Sequence, residues 1–411
     1  MRILHVTPTY PPSVGGAEHY LRAVSERLVA RGHTVTVFTA NVTDGLSASL
    51  NRCGGLPQEE IVGGVRVVRF APLWGRLEKA FDRLLAVRGG WRTVSTLLSP
   101  AGREFLMQGP RTLDMIGAIL RAKTDVLVSV NWYWPQAYHA HLASRLRRVP
   151  LVGLPLFHTA QAWCGRPIYD RMLARCDGVI AMTGHEKGYA EGRGARAVDV
   201  AGAGVSPRDF ESRNGAQVRA RYGLGDLPVV GYVGLQLAAK GVAKLIEAMP
   251  RVWRWNPEVR LVLAGGRVPD SDVEGALGSL SATQRSLVVQ IGRFDDGEKA
   301  SIFDAFDVFV MPSKEDSFGI AYLEAWLCGK PVIGARIGST QCVIDEGRDG
   351  LLVDPGNAED IARAIVSLLS NREVGATMAA AGRAKTLEQH TWDQVTDRIE
   401  SLYRRVAGAT D

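Results

Sequence analysis

The sequence predicts an α/β protein built from two doubly wound parallel sheets. Short apolar, β-branched segments alternate with segments of helical periodicity, which is typical of βαβ units. The alternation begins twice, at Ile3–Thr7 and at Val229–Val233, each time as a strand, a glycine-containing loop and a helix. The 411 residues are enough for two domains. We therefore expect two Rossmann-like domains that face a cleft.

Six strands and three helices are predicted in the first half of the chain. The strands are Ile3–Thr7, Thr34–Thr39, Val65–Phe70, Val126–Val130, Pro150–Phe157 and Gly178–Met182, and the helices are Ala17–Arg31, Ala137–Arg147 and Pro167–Arg175. Residues Leu73–Phe105 mix tryptophan, phenylalanine and leucine with several arginines. This mixture indicates one or two amphipathic helices or a mobile loop.

The second half repeats the pattern after a linker. Glycine and proline punctuate residues 203–227, which is typical of a connecting segment. The predicted strands are Val229–Val233, Arg260–Leu263, Leu287–Ile291, Val308–Met311 and Pro331–Gly334, with a helix over Lys240–Trp253 after the first of them. The predicted domains are residues 1–205 and 228–390, joined by a linker over 206–227, and residues 391–406 form a final amphipathic helix.

Composition excludes several classes of protein. Apolar residues are 46% and charged residues 22% of the chain, which excludes disorder for most of it. No apolar run approaches the roughly 20 residues that span a bilayer. The N-terminus lacks the pattern of a signal peptide, so we expect a cytoplasmic location. The five cysteines are odd in number and have no metal-ligand spacing, so we expect reduced thiols and no bound metal.

Charge is divided unevenly along the chain. Residues 1–215 contain 27 basic and 17 acidic side chains, whereas residues 216–411 contain 22 and 26. A basic first half favours an acidic partner, such as a phosphorylated ligand or an anionic membrane surface. We expect no nucleic-acid binding, because no recognised binding motif accompanies the charge. For any single arginine, a solvated basic surface is the better explanation of the charge.

Two glycine loops stand at the start of predicted helices. Gly15-Gly16 follows the first strand, and Gly234 opens a loop that ends at Lys240-Gly241. The free N–H groups of a helix start bind anions, and a lysine there adds a cation. Neither loop has the spacing of a dinucleotide fingerprint or a Walker motif. From these residues alone, a tight strand-to-helix turn and a surface lysine at a helix end stay open as explanations.

The segment from Met311 to Val332 gives a more specific signal. A strand ends at Met311, a loop holds Asp316, and a helix that starts near Gly319 carries Glu324. The two carboxylates lie too far apart along the chain to bind one atom, so they fit different hydroxyls of one long ligand. The alternative is a loop aspartate and a solvated helical glutamate without a ligand.

The order and spacing of several short segments carry a family resemblance. They are Pro11–Glu18, Phe157–Thr159, Val233-Gly234 with Lys240-Gly241, Leu263–Gly266, Ile291–Phe294, Asp307–Ser313, Asp316 with Glu324, and Gly350–Gly356. Together they resemble the GT-B glycosyltransferases of family 4, a retaining and metal-independent group. The resemblance covers nearly the whole chain. It implies two Rossmann-like domains, with the C-terminal helix returning to the first and Trp392 as its packing anchor.

The resemblance also implies roles for matching positions. Lys240 would neutralise the leaving phosphate, Asp316 would hold the donor sugar and Glu324 the ribose. His158 would lie beside the transferred sugar and the acceptor, which makes His158, Lys240 and Asp316 the expected catalytic residues. The remaining donor contacts are expected from Gly15, Gly16, Gly234, Arg293, Ser317, Phe318 and Gly319. No cofactor or metal is implied.

Two positions depart from the family pattern. The arginine that usually follows the first glycine of the Gly234 loop is replaced by Leu235, so one phosphate-binding cation is missing. Arg267 and Arg293 are candidates to replace it. The leading acid, usually glutamate, is Asp316. Both departures leave the fold expectation intact and put the identity of the donor in question.

The acceptor is expected on the first domain. Trp132, Tyr133 and Trp134 follow a strand at its carboxyl end, where they could stack on a sugar or a lipid tail, although core packing of at least one is equally plausible. The basic stretch Trp74–Arg111 could lie on an anionic membrane, at the inner face, or could be a charged packing insertion.

These observations favour one function over two others. The leading expectation is transfer of a hexose from a nucleotide-diphosphate sugar to a sugar or lipid-linked glycan, in polysaccharide or glycolipid synthesis. A sugar phosphorylase or synthase on the same fold is one alternative. A non-catalytic sugar-nucleotide-binding protein is the other, and Leu235 motivates it.

Overall fold

The chain forms two compact units. The computed structural model describes residues 1–13, 15–43, 48, 52–72, 110–159, 161–268 and 271–408. Unit 1 is Met1–Ala201 together with Val395–Asp411, and unit 2 is Gly202–Gln394. Residues 206–227, assigned to a linker from the sequence, lie in unit 2. They contain a 3-10 helix, Pro207–Phe210, and an α-helix, Gly215–Arg221.

Unit 1 is built on a sheet with eight strands among the described residues. They are β1 Arg2–Val6, β2 Thr34–Ala40, β3 Glu59–Val62, β4 Val65–Phe70, β5 Val126–Val130, β6 Leu151–Leu154, β7 Gly178–Ala181 and β8 Val198–Val200. Their order is β3-β4-β2-β1-β5-β6-β7-β8. Only the β3–β4 pair among them is antiparallel. Every residue of β5 is buried, as expected for a central parallel strand covered on both faces.

Helices cover the sheet of unit 1. They are α1 Gly16–Ala30, α2 Leu113–Arg121, α3 Gln136–Arg147, α4 Pro167–Leu173 and α5 Gly184–Glu191. α1, α3, α4 and α5 each lie between two parallel strands that follow one another in the chain, which is the βαβ connection that parallel strands require. The core beneath them includes Leu4, Val6, Leu127 and Met115, all less than 3% exposed.

Unit 2 has six described strands, and all their pairings are parallel. They are β9 Val229–Val233, β10 Arg260–Ala264, β11 Val288–Ile291, β12 Val308–Met311, β13 Val332–Ala335 and β14 Gly350–Val353, in the order β11-β10-β9-β12-β13-β14. Its helices are α6 Gly215–Arg221, α7 Val242–Trp255, α8 Val273–Gly278, α9 Ala282–Arg285, α10 Asp296–Asp304, α11 Ile320–Leu327, α12 Ala358–Ser370 and α13 Arg372–Gln389. The last helix, α14 Trp392–Ala407, begins at the end of unit 2 and belongs to unit 1 from Val395 onward.

Most of the predicted strands are confirmed, and three short ones were missed. Val65–Phe70, Val126–Val130, Val229–Val233 and Val308–Met311 have the predicted bounds. The strand predicted over Pro150–Phe157 is only Leu151–Leu154, because Pro155 has no N–H to donate and Leu156 turns the chain with φ 55°. The missed strands are β3, β8 and β14.

Each sheet reverses its strand order at one place. In unit 1 the neighbours there are β1 and β5, and in unit 2 they are β9 and β12. The connections on the two sides of such a place run to opposite faces, which opens a crevice at the carboxyl ends of the two strands. The fold therefore marks the loops after β1, β5, β9 and β12 as ligand-binding positions.

The described residues contain no helix that is long and apolar enough to cross a membrane. The predicted amphipathic region Leu73–Phe105 lies outside the described residues, as does most of the basic stretch Trp74–Arg111.

The last helix, α14, is anchored to unit 1 by a cluster of charges around Glu400. The Glu400 carboxylate accepts hydrogen bonds from Arg31 and from His33 Nε2, both at 2.9 Å, and from Arg404 at 2.7 Å. Burial alone would raise the pKa of Glu400, but the bonds from Arg31, His33 and Arg404 outweigh it and lower that pKa to about 2. Buried Tyr403 of the same helix contacts His5 of β1. This helix thus completes unit 1, as the family resemblance predicted.

We expect Glu400→Gln to destabilise unit 1 by about 2–3 kcal/mol at pH 7. The sign follows from the lowered pKa of Glu400. Because folding favours the ionised carboxylate, the carboxylate stabilises the folded state at any pH above the pKa that Glu400 has in the unfolded chain. The difference in unfolding free energy between wild type and variant should shrink as the pH falls from about 5 towards 2. Urea unfolding followed by tryptophan fluorescence measures it, with the exposed Glu373→Gln as control. A difference that does not change with pH would contradict the assignment.

Candidate active site

The β9 and β12 loops of unit 2 meet where the strand order reverses. Gly241 begins α7 with φ 72°, and a Cβ built on it would overlap the carbonyl oxygen of Pro312. Only glycine allows both that conformation and that close approach. The backbone N–H of Lys314 donates to Ala239 at 2.8 Å, which joins the loops further. The two loops therefore form one continuous surface.

Lys240 and Asp316 form an ion pair across this junction. Lys240 Nζ lies 2.7 Å from Asp316 Oδ2, and the two side chains are 24% and 10% exposed. Sequence reasoning selected both residues but did not predict their contact. An accessible lysine beside a helix start can bind an anion, while the carboxylate holds its ammonium group in place.

Asp316 is fixed by its own loop as well as by Lys240. Its Oδ1 accepts a long hydrogen bond, 3.4 Å, from the N–H of Phe318, and its carbonyl oxygen accepts one of 2.6 Å from the Ser339 hydroxyl. Ser339 is buried and was not selected from the sequence, because nothing in its local pattern marks it. Two elements therefore orient the loop that carries the carboxylate.

The first turn of α11 follows this loop directly. Gly319 precedes the helix with φ 90°, and a Cβ on it would overlap the ring of Tyr322. Phe318 is buried against the ring of His390, with 5.4 Å between centroids. Ser317, Phe318 and Gly319 thus lead into the free N–H groups of a helix start, beside the Lys240–Asp316 pair.

Glu324, on the same helix, pairs with a lysine that sequence reasoning missed. Lys299 Nζ of α10 lies 3.2 Å from Glu324 Oε1 and 3.5 Å from Asp296. Burial lowers the pKa of Lys299, but Glu324 and Asp296 outweigh it, so the net shift is upward. Lys299 stands in an ordinary charged helix, so only the folded arrangement reveals it. The pair supplies a donor and an acceptor of hydrogen bonds to a polar ligand.

Three glycine-containing strand ends lie side by side at this edge. The β9 end carries Gly234 and Leu235, the β10 end Gly265-Gly266, and the β11 end Arg293. Gly234 has φ 150°, and its N–H donates to Ala264. A Cβ built on Gly266 would lie 3.3 Å from Arg293 Nε and 3.5 Å from Leu235 Cδ1. The Arg293 and Leu235 side chains are therefore neighbours above Gly266.

The β1 loop of unit 1 leaves backbone open at the start of α1. A Cβ on Gly16 would meet no atom within 4 Å, so the main chain at this residue is approachable. A Cβ on Gly15 would overlap the Glu18 carboxylate, which accepts a hydrogen bond from Thr9. The Glu18 side chain therefore covers Gly15, whereas the backbone of Gly16 is open.

His158 sits in a loop that a buried carboxylate organises. Glu186 accepts from the N–H of Phe157 at 2.8 Å and of Met182 at 2.6 Å. Burial raises the pKa of Glu186 to about 7, against those two bonds, which lower it. His158 is half-buried, and its carbonyl oxygen accepts from Gln161 at 2.8 Å. Glu186 therefore positions the backbone of the His158 loop, a role that its sequence context did not suggest.

The predicted aromatic acceptor surface is corrected at Trp132. Trp132 is 0% exposed, donates its indole N–H to Ser129 at 3.1 Å, and packs on His141 and Phe157. It is a core residue, because Asn131 with φ 54° turns the chain and directs the following ring inward. Tyr133 is 38% exposed and stands at 90° to half-buried Trp134, so these two retain accessible surface.

The chemistry of the unit 2 edge is that of a polyhydroxylated anion site. Lysines and helix N–H groups suit phosphate oxygens, and carboxylates suit hydroxyl groups. Among the described residues, no cluster of three or more His, Cys, Asp or Glu side chains is arranged to hold a metal ion. The five cysteines are free thiols.

Two family models match the chain, one in each half. Residues 15–206 match the model described as "Glycosyl transferase 4-like domain", and residues 227–371 match "Glycosyl transferases group 1". The second match contains Lys240, Asp316 and Glu324. The first contains His158 and Gly16.

Characterised relatives match over nearly the whole chain. The D-inositol 3-phosphate glycosyltransferase of Segniliparus rotundus is 27% identical, over 98% of this chain and 87% of its own length. The GDP-mannose-dependent alpha-(1-6)-phosphatidylinositol monomannoside mannosyltransferase of Mycolicibacterium smegmatis is 26% identical, over 97% of both chains. Among solved structures, Anabaena HepE in complex with UDP-glucose superposes with a TM-score of 0.72 at 20% identity, over 98% of both chains. At this identity, the similarity to HepE concerns the fold alone.

We expect Trp132 and Tyr133 to differ sharply in their contribution to stability. Trp132→Ala should lower the unfolding free energy by about 3–5 kcal/mol, because it empties a buried site. Tyr133→Ala should cost about 1 kcal/mol or less, since much of its ring is in solvent. Urea unfolding of both variants tests this. Equal losses would contradict the correction at Trp132.

Proposed function

The chain belongs to the group 1, GT4-like glycosyltransferases with the GT-B fold, and from this we propose that it transfers a hexose to a sugar or lipid-linked glycan. Its donor is a nucleotide sugar, as in the family. The observation that carries the proposal is the Lys240–Asp316 pair beside the start of α11. This arrangement offers a cation and N–H donors to the diphosphate of a nucleotide sugar, and a carboxylate to its sugar hydroxyls.

The proposed chemistry breaks the bond between the anomeric carbon and a phosphate oxygen. The electron pair stays on the nucleoside diphosphate, and Lys240 with the N–H groups of residues 317–319 stabilises that charge. Asp316 holds the sugar hydroxyls, and Glu324 with Lys299 holds the ribose. The acceptor hydroxyl oxygen forms the new bond to the anomeric carbon, with retention, and its proton passes to the departing phosphate oxygen. We propose that no metal takes part, and that side-chain cations and backbone N–H groups face the departing phosphate instead.

We propose His158 as the unit 1 residue beside the transferred sugar and the acceptor. Glu186 fixes the backbone of its loop, and half-burial leaves part of the side chain accessible. Gly16 would donate its N–H to the diphosphate, and Tyr133 and Trp134 would contact the acceptor. These assignments extend the family resemblance to residues whose accessible backbone or side chains agree with it.

An anionic acceptor fits both the charge of unit 1 and the relatives. The relatives' names specify D-inositol 3-phosphate in one case and a phosphatidylinositol mannoside in the other. Residues 1–215 contain 27 basic and 17 acidic side chains, which favours such acceptors. We propose a phosphorylated or lipid-linked acceptor in glycolipid or cell-surface polysaccharide synthesis, used at the inner face of the membrane.

A nucleotide panel tests the donor site. UDP, GDP, ADP, dTDP and CMP are added at 1 mM, with and without EDTA, and the melting temperature is recorded. A nucleotide present at about 100 times its Kd stabilises the folded state by about 2.7 kcal/mol. Because one relative is named as GDP-mannose-dependent, we expect GDP to raise the melting temperature by several degrees, equally with EDTA. No shift with any nucleotide would contradict the proposal, and a shift abolished by EDTA would contradict metal independence.

Variants at Lys240 and His158 should separate donor binding from turnover. Lys240→Ala should weaken nucleoside diphosphate binding about tenfold to a hundredfold, because it removes a charge-assisted contact. His158→Ala should leave that affinity within about threefold while reducing turnover at least tenfold. Calorimetric titration with GDP and hydrolysis or transfer of GDP-mannose measure the two quantities.

Lys244→Ala is the matched control for Lys240. Lys244 lies four residues further along the chain, in the first turn of α7, and pairs with Glu247 at 2.5 Å instead of with Asp316. We expect wild-type affinity for this variant. Equal losses for Lys240→Ala and Lys244→Ala would show a general effect of charge, and would end the assignment of Lys240.

A further inference from the structure

The donor site of unit 2 has less free positive charge than its ligand requires. The family resemblance implies an arginine at the position of Leu235, whose side chain is apolar and 45% exposed. Lys240 is engaged by Asp316, and Lys299 by Glu324 and Asp296. A diphosphate brings two or more negative charges, so the paired lysines leave a charge deficit at this sheet edge.

Arg293 is placed to fill this deficit from a different strand. It follows β11, is exposed, and forms no hydrogen bond or ion pair within the described part of the chain. Its Nε and the Cδ1 atom of Leu235 lie 3.3 and 3.5 Å from the same point above Gly266. The Arg293 side chain therefore lies over the end of β10, on the side of the Leu235 side chain.

The glycines at the end of β10 make this reach possible. β10 lies between β9 and β11, so a side chain that crosses from one outer strand to the other must pass over its end. Residues 265 and 266 are both glycine, and a Cβ on Gly266 would already touch the Arg293 side chain. Because neither glycine has a side chain, the Arg293 side chain can lie across the end of β10.

Two other basic residues near this edge are Arg267 and Lys314. Arg267 pairs with Glu274 and donates to Gln290, so it is engaged by its own neighbours. Lys314, with Lys244 and Arg267, lines a cavity of about 830 Å³ that Ala238 and Gly241 also border. Of the two arginines that the sequence offered as replacements, the geometry selects Arg293.

We propose that Arg293 binds the donor phosphates in place of the arginine missing at position 235. The inference rests on the proposed function, because it concerns the same donor site. It assigns the phosphate-binding cation to the end of β11 and gives Gly266 a role in keeping its path open. The planar guanidinium suits phosphate oxygens, to which it can donate two parallel hydrogen bonds.

The test measures GDP and UDP binding by calorimetry for the full chain. Arg293→Ala should weaken binding of the nucleotide that wild type binds by about tenfold to a hundredfold. The double variant Leu235→Arg/Arg293→Ala should regain most of that loss, since it returns the cation to the usual strand. Gly266→Val, which keeps the arginine but narrows its path, should also weaken binding. Lys314→Ala, which removes another exposed cation of this edge, should stay within about threefold of wild type.

The outcomes separate this inference from the proposed function. If wild type binds neither GDP nor UDP, both fail. If wild type binds one of them and Arg293→Ala binds it equally well, only the role of Arg293 is refuted. A loss in Arg293→Ala that Leu235→Arg does not reverse would place the arginine at another part of the nucleotide and overturn the replacement. Arg293 is exposed, so unchanged melting temperatures of the unliganded variants confirm that folding is intact.

Discussion

The contact between the β9 and β12 loops is the constraint on which the candidate donor site depends. At Gly241 the two main chains lie so close that no side chain fits between them. This approach brings Lys240 beside Asp316, although 76 residues separate them in the chain. It also sets the start of α11 next to both. The site is therefore a product of backbone packing, which the parallel sheet provides by reversing its strand order at this position.

Much of the fold could be predicted because the central strands are buried on both faces. Such strands read as short apolar runs, and Val126–Val130 and Val229–Val233 have the bounds that this pattern indicates. The missed strands lack the signal. β3 includes two glutamates and pairs with one neighbour at the sheet edge, and β8 has only three residues. Their structure depends on the strand beside them, which a local pattern does not contain.

Individual residues of the candidate site could be predicted from the sequence, but the contacts between their side chains could not. Motif spacing selected Lys240 and Asp316, which lie in loops after strands, and Glu324, which follows Asp316 at a fixed spacing in the next helix. It could not select Lys299 or Ser339, which stand in ordinary segments and matter only through the side chains they meet. Trp132 shows the opposite failure. Three adjacent aromatics look alike in sequence, and the turn at Asn131 decides which of them enters the core.

The two units differ in when all their residues become available during synthesis. Unit 2 is one continuous segment, Gly202–Gln394, whereas unit 1 needs the residues from Val395 onward as well. During synthesis the first 201 residues must therefore wait, with the surface that receives Tyr403 and Glu400 uncovered, until the whole of unit 2 has been made. Unit 1 can therefore be completed only after the residues of unit 2 have been synthesised. The time at which unit 1 is complete depends on its C-terminal helix, although most of its residues come first in the chain.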